Sequence, residues 1–199
     1  MTGVTTAYGW MVDGTDALLD QVDRLDDAAF AGPSLLPGWS RSHLLAHVHF
    51  NAEALTRLAE WARTGIENPM YADAEQRAEE IAHGATLPPD RLRELVHASA
   101  RRLRAGLDRL GPQQWRAEVR TARGRTVPAT EIAWLRTREV WVHTVDLDVG
   151  FSFRDVPADV RARLAGEAAT AYAGGEAGPQ LVAWLTGRAE TPPRLDAWL

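Results

Sequence analysis

The chain has 199 residues, 45% of them hydrophobic and 25% charged, which is typical of a globular protein with one domain, or one domain and a small appendage. Its formal net charge of −5 at pH 7 argues against nucleic-acid binding, because phosphate contacts require a basic surface. It contains no cysteine, so disulfides and thiolate metal sites are excluded, and any metal ion must be held by histidine, aspartate or glutamate.

The sequence predicts a cytoplasmic protein with no membrane partner. Residues 1–14 contain neither a basic segment nor an apolar run, and no stretch approaches the roughly 20 apolar residues of a membrane helix. One zone is basic, with ten arginines between Arg91 and Arg125. We interpret this zone as the solvated face of a helix.

Most of the chain has the apolar spacing of amphipathic helices. Four long helices are predicted, over Val4–Leu25, Arg41–Thr64, Pro88–Gly111 and Pro128–Asp146. Ser40 is a suitable N-cap for the second helix, and Gly65 is a stop signal after it. Pro128 suits the first turn of the fourth helix.

The remaining segments predict connections and a tail. We expect residues 66–87 to form an irregular connection with one short helix near 73–82. We expect residues 119–127 to form a loop or a short extended piece. The tail has a helix over 158–173, a break at two glycines, and a short helix over 179–185. The predicted fold is therefore mainly α: a four-helix bundle over residues 1–150 and a small helical or α/β extension over 151–199.

Two pairs of side chains with a spacing of four residues could carry chemistry. Glu139 and His143 lie in the fourth predicted helix, and His43 and His47 lie in the second. This spacing places each pair on one helix face, and two such faces turned inward could form a metal site. A buried carboxylate is costly unless it is paired or bound to a metal.

The spacing alone leaves several questions open. It does not decide between His43 and His47, the same pairs occur in helices without any metal, and zinc, nickel and ferrous iron accept the same ligand types. Asp146 either orients a ligand imidazole without binding the metal itself or is a polar residue at a helix end. The chain has no phosphate-binding glycine loop, dinucleotide fingerprint or serine-hydrolase motif.

Several segments resemble the mycothiol-dependent maleylpyruvate isomerases, which belong to the DinB-like metal-binding four-helix bundles. The segments that carry the resemblance are Leu36-Pro37-Gly38-Trp39-Ser40, Leu44-Leu45-Ala46-His47, Arg138-Glu139-Val140-Trp141-Val142-His143-Thr144-Val145-Asp146-Leu147, Ala183-Trp184-Leu185-Thr186-Gly187-Arg188 and Pro193-Arg194-Leu195-Asp196-Ala197-Trp198-Leu199. The first three are similar to the metal motifs of the superfamily, and the last two resemble the C-terminal region of the isomerases.

The resemblance implies a zinc ion held by His47, Glu139 and His143, with His43 outside the ligand set. It also implies that Arg188 matches an arginine required for activity, although the segment after Arg188 is short for the family. A metal-bound thiolate of mycothiol would add to the cis double bond of maleylpyruvate, the new single bond would rotate, and elimination would give fumarylpyruvate. The implied partners are a small-molecule substrate and a low-molecular-weight thiol, and the oligomeric state stays open.

Three functions follow in order of preference. The first is the mycothiol-dependent cis–trans isomerase acting on maleylpyruvate. The second keeps the metal and the thiol but transfers the thiol to another electrophile, as an S-transferase does. The third is a helical binding protein without catalysis.

Overall fold

The computed structural model of the chain describes residues 2–196 and, from residue 5 onward, their side chains. The described residues form two compact units, 2–152 and 153–196. Three residues of the C-terminal motif quoted above, Ala197, Trp198 and Leu199, lie outside the described residues.

The first unit is mainly helical, as predicted. Its helices are α1 (Thr2–Arg24), α2 (Arg41–Thr64), α3 (Ala74–Gly84), α4 (Pro89–Asp108) and α5 (Glu131–Asp146). Between α4 and α5 the strands β1 (Glu118–Arg120) and β2 (Thr126–Pro128) pair in antiparallel fashion, with Val119 opposite Val127. Short 3-10 turns occupy Asp27–Ala31 and Gln114–Arg116.

The bundle forms because four helices bury their apolar faces on one another. Helix α1 packs against α5, while α2 packs against both α4 and α5. Leu18, Leu44, Leu103 and Ile132 supply one fully buried side chain from each of the four helices. This arrangement places α2 beside α5, and these are the two helices that carry the predicted ligand pairs.

A glycine allows α1 to approach α5 closely. A Cβ atom at Gly14 would lie 2.6 Å from the indole Nε1 of Trp141, so a larger residue would force the helices apart. The same indole nitrogen donates a hydrogen bond to the backbone carbonyl of Trp10 over 3.0 Å. These contacts fix α5 against α1.

Side-chain caps determine where α2 and α3 begin. Ser40 accepts a hydrogen bond from the backbone N–H of His43 and caps α2 as predicted. Asp73 does the same for α3 by accepting from the N–H of Gln76 over 2.8 Å. The predicted short helix in the connection is therefore present, and it extends two residues further, to Gly84.

The predicted start of the fourth long helix at Pro128 is wrong. Pro128 ends β2, where it pairs with Glu118, and α5 begins at Glu131. The backbone N–H groups of Ala129 and Thr130 donate to the carbonyls of Ala117 and Trp115. These bonds continue the contact with the preceding segment past the end of β2, and α5 begins directly after them.

The second unit contains α6 (Ala158–Ala173) and α7 (Gly178–Leu185) and, within its described residues, no strand. The bounds agree closely with the predicted tail helices. Arg161 stabilises the segment before α6 by donating from Nη1 to the carbonyls of Phe153, Arg154 and Val156.

Candidate metal centre

Helix α5 presents Glu139 and His143 on one face, a single turn apart. The face is buried: His143 is 2% exposed, and the Glu139 side chain is 12% exposed. One atom of the carboxylate, Oε2, lies 3.3 Å from Nε2 of His143.

Helix α2 brings His47 to the same carboxylate. His47 is 6% exposed, and its Nε2 lies 2.8 Å from Oε2 of Glu139. The rings of His47 and His143 meet edge to face, with centres 4.9 Å apart. The ring of Trp39, in the loop before α2, lies 5.8 Å from the ring of His47 and covers the site on that side.

The three side chains satisfy the geometric requirement for one shared cation. Each offers a ligand atom, and these atoms all lie within 4.8 Å of one another. Zinc bonds to nitrogen and oxygen are about 2.0–2.2 Å long, so a single ion could bind all three after small side-chain shifts. Nε2 of His143 is also buried without a hydrogen-bond partner, a cost that a metal bond would remove. The residues present therefore fit a divalent metal ion.

Asp146 orients one of the imidazoles. Its Oδ2 lies 2.8 Å from Nδ1 of His143, so Nδ1–H donates to the carboxylate and Nε2 is directed toward Glu139. Of the two interpretations of Asp146 made from the sequence, this contact favours the one in which it orients an imidazole.

The three groups shift one another's pKa values. Burial raises the pKa of Glu139, but the neighbouring imidazoles of His143 and His47 outweigh burial and hold it well below its usual value. Burial lowers the pKa of His47, against the opposing effect of Glu139. Burial also lowers the pKa of His143, but the carboxylates of Asp146 and Glu139 outweigh it and raise the pKa to about 9. A metal ion that binds His143 must therefore displace a proton.

The other histidines lie apart from this cluster. His43 is half-buried, and its Nδ1 lies 2.8 Å from the Ser40 hydroxyl. His49 is buried beside Phe50, with ring centres 4.6 Å apart. His83 is exposed on α3, and His97 pairs with Asp23 over 2.7 Å.

Arg188 belongs to the second unit, where it is exposed just after α7. Its Nη1 donates to the backbone carbonyl of Thr186. The role of Arg188 therefore stays a prediction from the resemblance.

Two residues near the cluster had not been predicted from the sequence. Arg77 on α3 has Nη2 3.3 Å from Nδ1 of His47, and the Tyr71 ring lies next to the Arg77 guanidinium. Neither belongs to a recognisable motif. The available signal was the helical spacing of Arg77, Ile81 and Gly84, which places Arg77 on the face that packs inward.

Comparison with known proteins identifies the family. The family described as the mycothiol maleylpyruvate isomerase N-terminal domain matches residues 12–148. The chain belongs to this family. Among curated proteins, none matches the chain.

Solved structures agree with the family assignment. A crystal structure of the mycothiol-dependent maleylpyruvate isomerase is 45% identical, with a TM-score of 0.84 over 87% of this chain and 74% of that one. A histidine-to-alanine mutant described under the same name is 44% identical, with a TM-score of 0.83 over the same shares. These matches confirm the predicted family and the mainly α fold. They also confirm the predicted class of enzyme, the mycothiol-dependent maleylpyruvate isomerase type.

The sequence predicted no membrane-spanning helix. Within the described residues, no helix of this isomerase-family chain combines the length and apolar character needed to span a bilayer.

Proposed function

We propose that this protein is a mycothiol-dependent cis–trans isomerase that converts maleylpyruvate to fumarylpyruvate. The observation that carries the proposal is the buried cluster of His47, Glu139 and His143 in a chain of the isomerase family. We further propose that the protein works in the cytoplasm, where reduced low-molecular-weight thiols are available.

We propose that the metal ion is zinc and that His47, Glu139 and His143 hold it. When bound, zinc would lower the pKa of a coordinated thiol and so maintain mycothiol as a thiolate. Three protein ligands leave a fourth position free, as in catalytic zinc sites. Asp146 would keep the His143 ring in the orientation that zinc requires, and burial of the cluster would exclude competing water.

The proposed reaction requires no net change in the thiol. Sulfur adds to one carbon of the cis double bond, and the displaced electron pair moves into the conjugated carbonyl group. The resulting single bond rotates, and elimination of the same thiol restores the double bond in its trans form. The chain's own residues must therefore orient a substrate with carboxylate groups and leave room for rotation.

We also propose a division of roles along the chain. Residues 1–150 would form the DinB-like metal-binding bundle, and residues 151–199 a short extension. From the family resemblance we propose that Arg188 binds a substrate carboxylate, since a guanidinium matches a carboxylate through two parallel hydrogen bonds. Replacement of Arg188 by Ala should leave zinc bound and reduce turnover.

The direct test is an isomerase assay on the zinc-loaded protein. Maleylpyruvate should be converted, as followed by absorbance, only when mycothiol is added. An absence of turnover, together with conjugation of mycothiol to a different electrophile, would replace the proposal by an S-transferase.

A further inference from the structure

Helix α3 is pressed against the part of α2 that carries His47. Arg77, Ile81 and Gly84 lie on one face of α3, and Ile81 is buried. A Cβ atom at Gly84 would lie 2.8 Å from Cβ of Ala46, so the contact requires a residue without a side chain. The position of Arg77 beside His47 therefore follows from the packing of α3.

Arg77 contacts the side of His47 that faces away from Glu139. Its Nη2 lies 3.3 Å from Nδ1 of His47, whereas Nε2 of the same ring meets Glu139. The guanidinium carbon of Arg77 is 6.0 Å from the centre of the Tyr71 ring. Arg77 thus borders the candidate metal centre without belonging to its ligand set.

Among the residues whose side chains the structure describes, Arg77 has no acidic partner for its charge. Arg63 pairs with Glu60 and Arg102 pairs with Glu53, but among residues 2–196 no carboxylate lies within ion-pair distance of Arg77. The side chain is half-buried, so its charge is incompletely hydrated. A guanidinium has five N–H donors, and the two neighbours of Arg77 leave donors free for an anionic ligand.

Tyr71 adds a neutral hydroxyl at the same place. Burial raises the pKa of Tyr71, while the charge and hydrogen bond of Arg77 act in the opposite direction. The hydroxyl is therefore protonated at neutral pH and can donate a hydrogen bond. A cationic fork and an O–H donor next to each other are complementary to a carboxylate.

We propose that Arg77, assisted by Tyr71, binds a carboxylate of the organic-acid substrate beside the metal centre. This inference rests on the proposed function, which supplies a substrate with carboxylate groups. Arg77 would determine where the substrate lies relative to the thiol, because the bidentate contact fixes both position and direction.

The test compares Arg77→Gln and Arg77→Lys with the zinc-loaded wild-type protein. Arg63→Gln is the matched control, because it removes an exposed arginine whose one acidic partner among the described side chains is Glu60. Three quantities are measured: zinc content, calorimetric affinity for maleate in the absence of mycothiol, and KM for maleylpyruvate and for mycothiol.

Arg77→Gln should weaken maleate binding and raise KM for maleylpyruvate by about 10- to 100-fold, the loss expected for a hydrogen bond to a charged group. Zinc content and KM for mycothiol should stay unchanged. Arg77→Lys should give an intermediate effect, because lysine keeps the charge but not the fork. Arg63→Gln should behave like the wild type.

The possible failures are distinguishable. Unchanged maleate affinity in Arg77→Gln, a wild-type protein that does not bind maleate, or loss of zinc in Arg77→Gln would each overturn the inference. If maleate binding depends on Arg77 but the wild type does not isomerise maleylpyruvate, the anion site stands and the proposed reaction fails. If the wild type isomerises maleylpyruvate and Arg77→Gln has the same KM, the proposed reaction stands and the role of Arg77 in binding the substrate fails.

Discussion

The contact between α2 and α5 buries two opposite charges one helical turn apart, those of Glu139 and Arg136. Their surroundings differ. The Glu139 carboxylate meets two imidazoles that can donate lone pairs to a cation. Arg136 is 1% exposed, and its Nη1 donates over 2.9 Å both to the carbonyl of Val48 and to Oδ1 of Asn51. The partners of Arg136 are thus neutral oxygens that belong to α2.

Both regions contain buried nitrogen atoms without a hydrogen-bond partner. Burial lowers the pKa of Arg136 to about 10, and the charge of Glu139 partly opposes this. Nε and Nη2 of Arg136 make no hydrogen bond, and they are as inaccessible as Nε2 of His143. The comparison teaches that burial of a charge does not by itself identify a site: Glu139 lies among potential metal ligands, whereas Arg136 fastens α5 to α2.

The largest expected effect comes from neutralising Glu139. Glu139→Gln keeps the shape but removes the negative charge between two imidazoles, so the cluster should no longer hold zinc at its normal affinity. Turnover should fall by roughly 1000-fold or more, because a metal supplies several kcal/mol to the reaction. Steady-state kinetics at fixed zinc concentration measures this. Activity within a few fold of wild type would remove Glu139 from the site.

Replacement of Arg136 should affect stability more than metal binding. Arg136→Met leaves Val48 and Asn51 without their donor, and the free energy of unfolding should fall by about 1–3 kcal/mol. Zinc content should stay at the wild-type value. Chemical denaturation and elemental analysis of the same samples check both points.

Arg136→Lys serves as the control for charge, since it retains one donor toward α2. It should recover part of the lost stability. Loss of zinc in Arg136→Met at unchanged stability would contradict the distinction drawn between the two buried charges.

A smaller effect is expected from the residue that orients His143. Asp146→Asn removes the negative charge next to Nδ1 but leaves a possible hydrogen-bond acceptor. Zinc affinity should fall by about 10- to 100-fold, as is usual for residues that hold a metal ligand in place. Competition with a chelator of known affinity measures the change. An unaltered affinity would return Asp146 to the role of a polar helix-end residue.

The smallest effect is predicted for the exposed pair between α1 and α4. The Tyr8 hydroxyl donates to Asp108, and burial followed by this hydrogen bond raises the pKa of Tyr8 to about 12. Because the folded pKa is higher than the unfolded one, this stabilisation is present below about pH 10 and is lost as the pH rises through 12. Tyr8→Phe should remove the component of the ultraviolet titration near pH 12 and leave turnover unchanged. A titration curve identical to that of the wild type would refute the assignment.

Local signals explain which parts of the fold could be predicted. The bounds of α2 follow from the Ser40 cap and from Gly65, and the predicted second helix has the same limits as the observed one. Pro128 failed as a guide because a proline also fits the end of a strand, and only the pairing with Glu118 decides between the two.

Contacts between helices explain what could not be predicted. The spacing of four residues indicated two pairs, but the choice of His47 over His43 depends on how α2 faces α5, and in the sequence it came from the family resemblance. Arg77 was missed because its position depends on the approach of Gly84 to Ala46. That contact is tertiary and has no signature in either segment alone.

The most direct test of the account is the metal content of the purified protein. Elemental analysis should find about one divalent ion per chain, and that ion should be zinc. His47→Ala and Glu139→Ala should each abolish it while both variants remain folded by circular dichroism. A full complement of metal in both variants would contradict the shared site between α2 and α5.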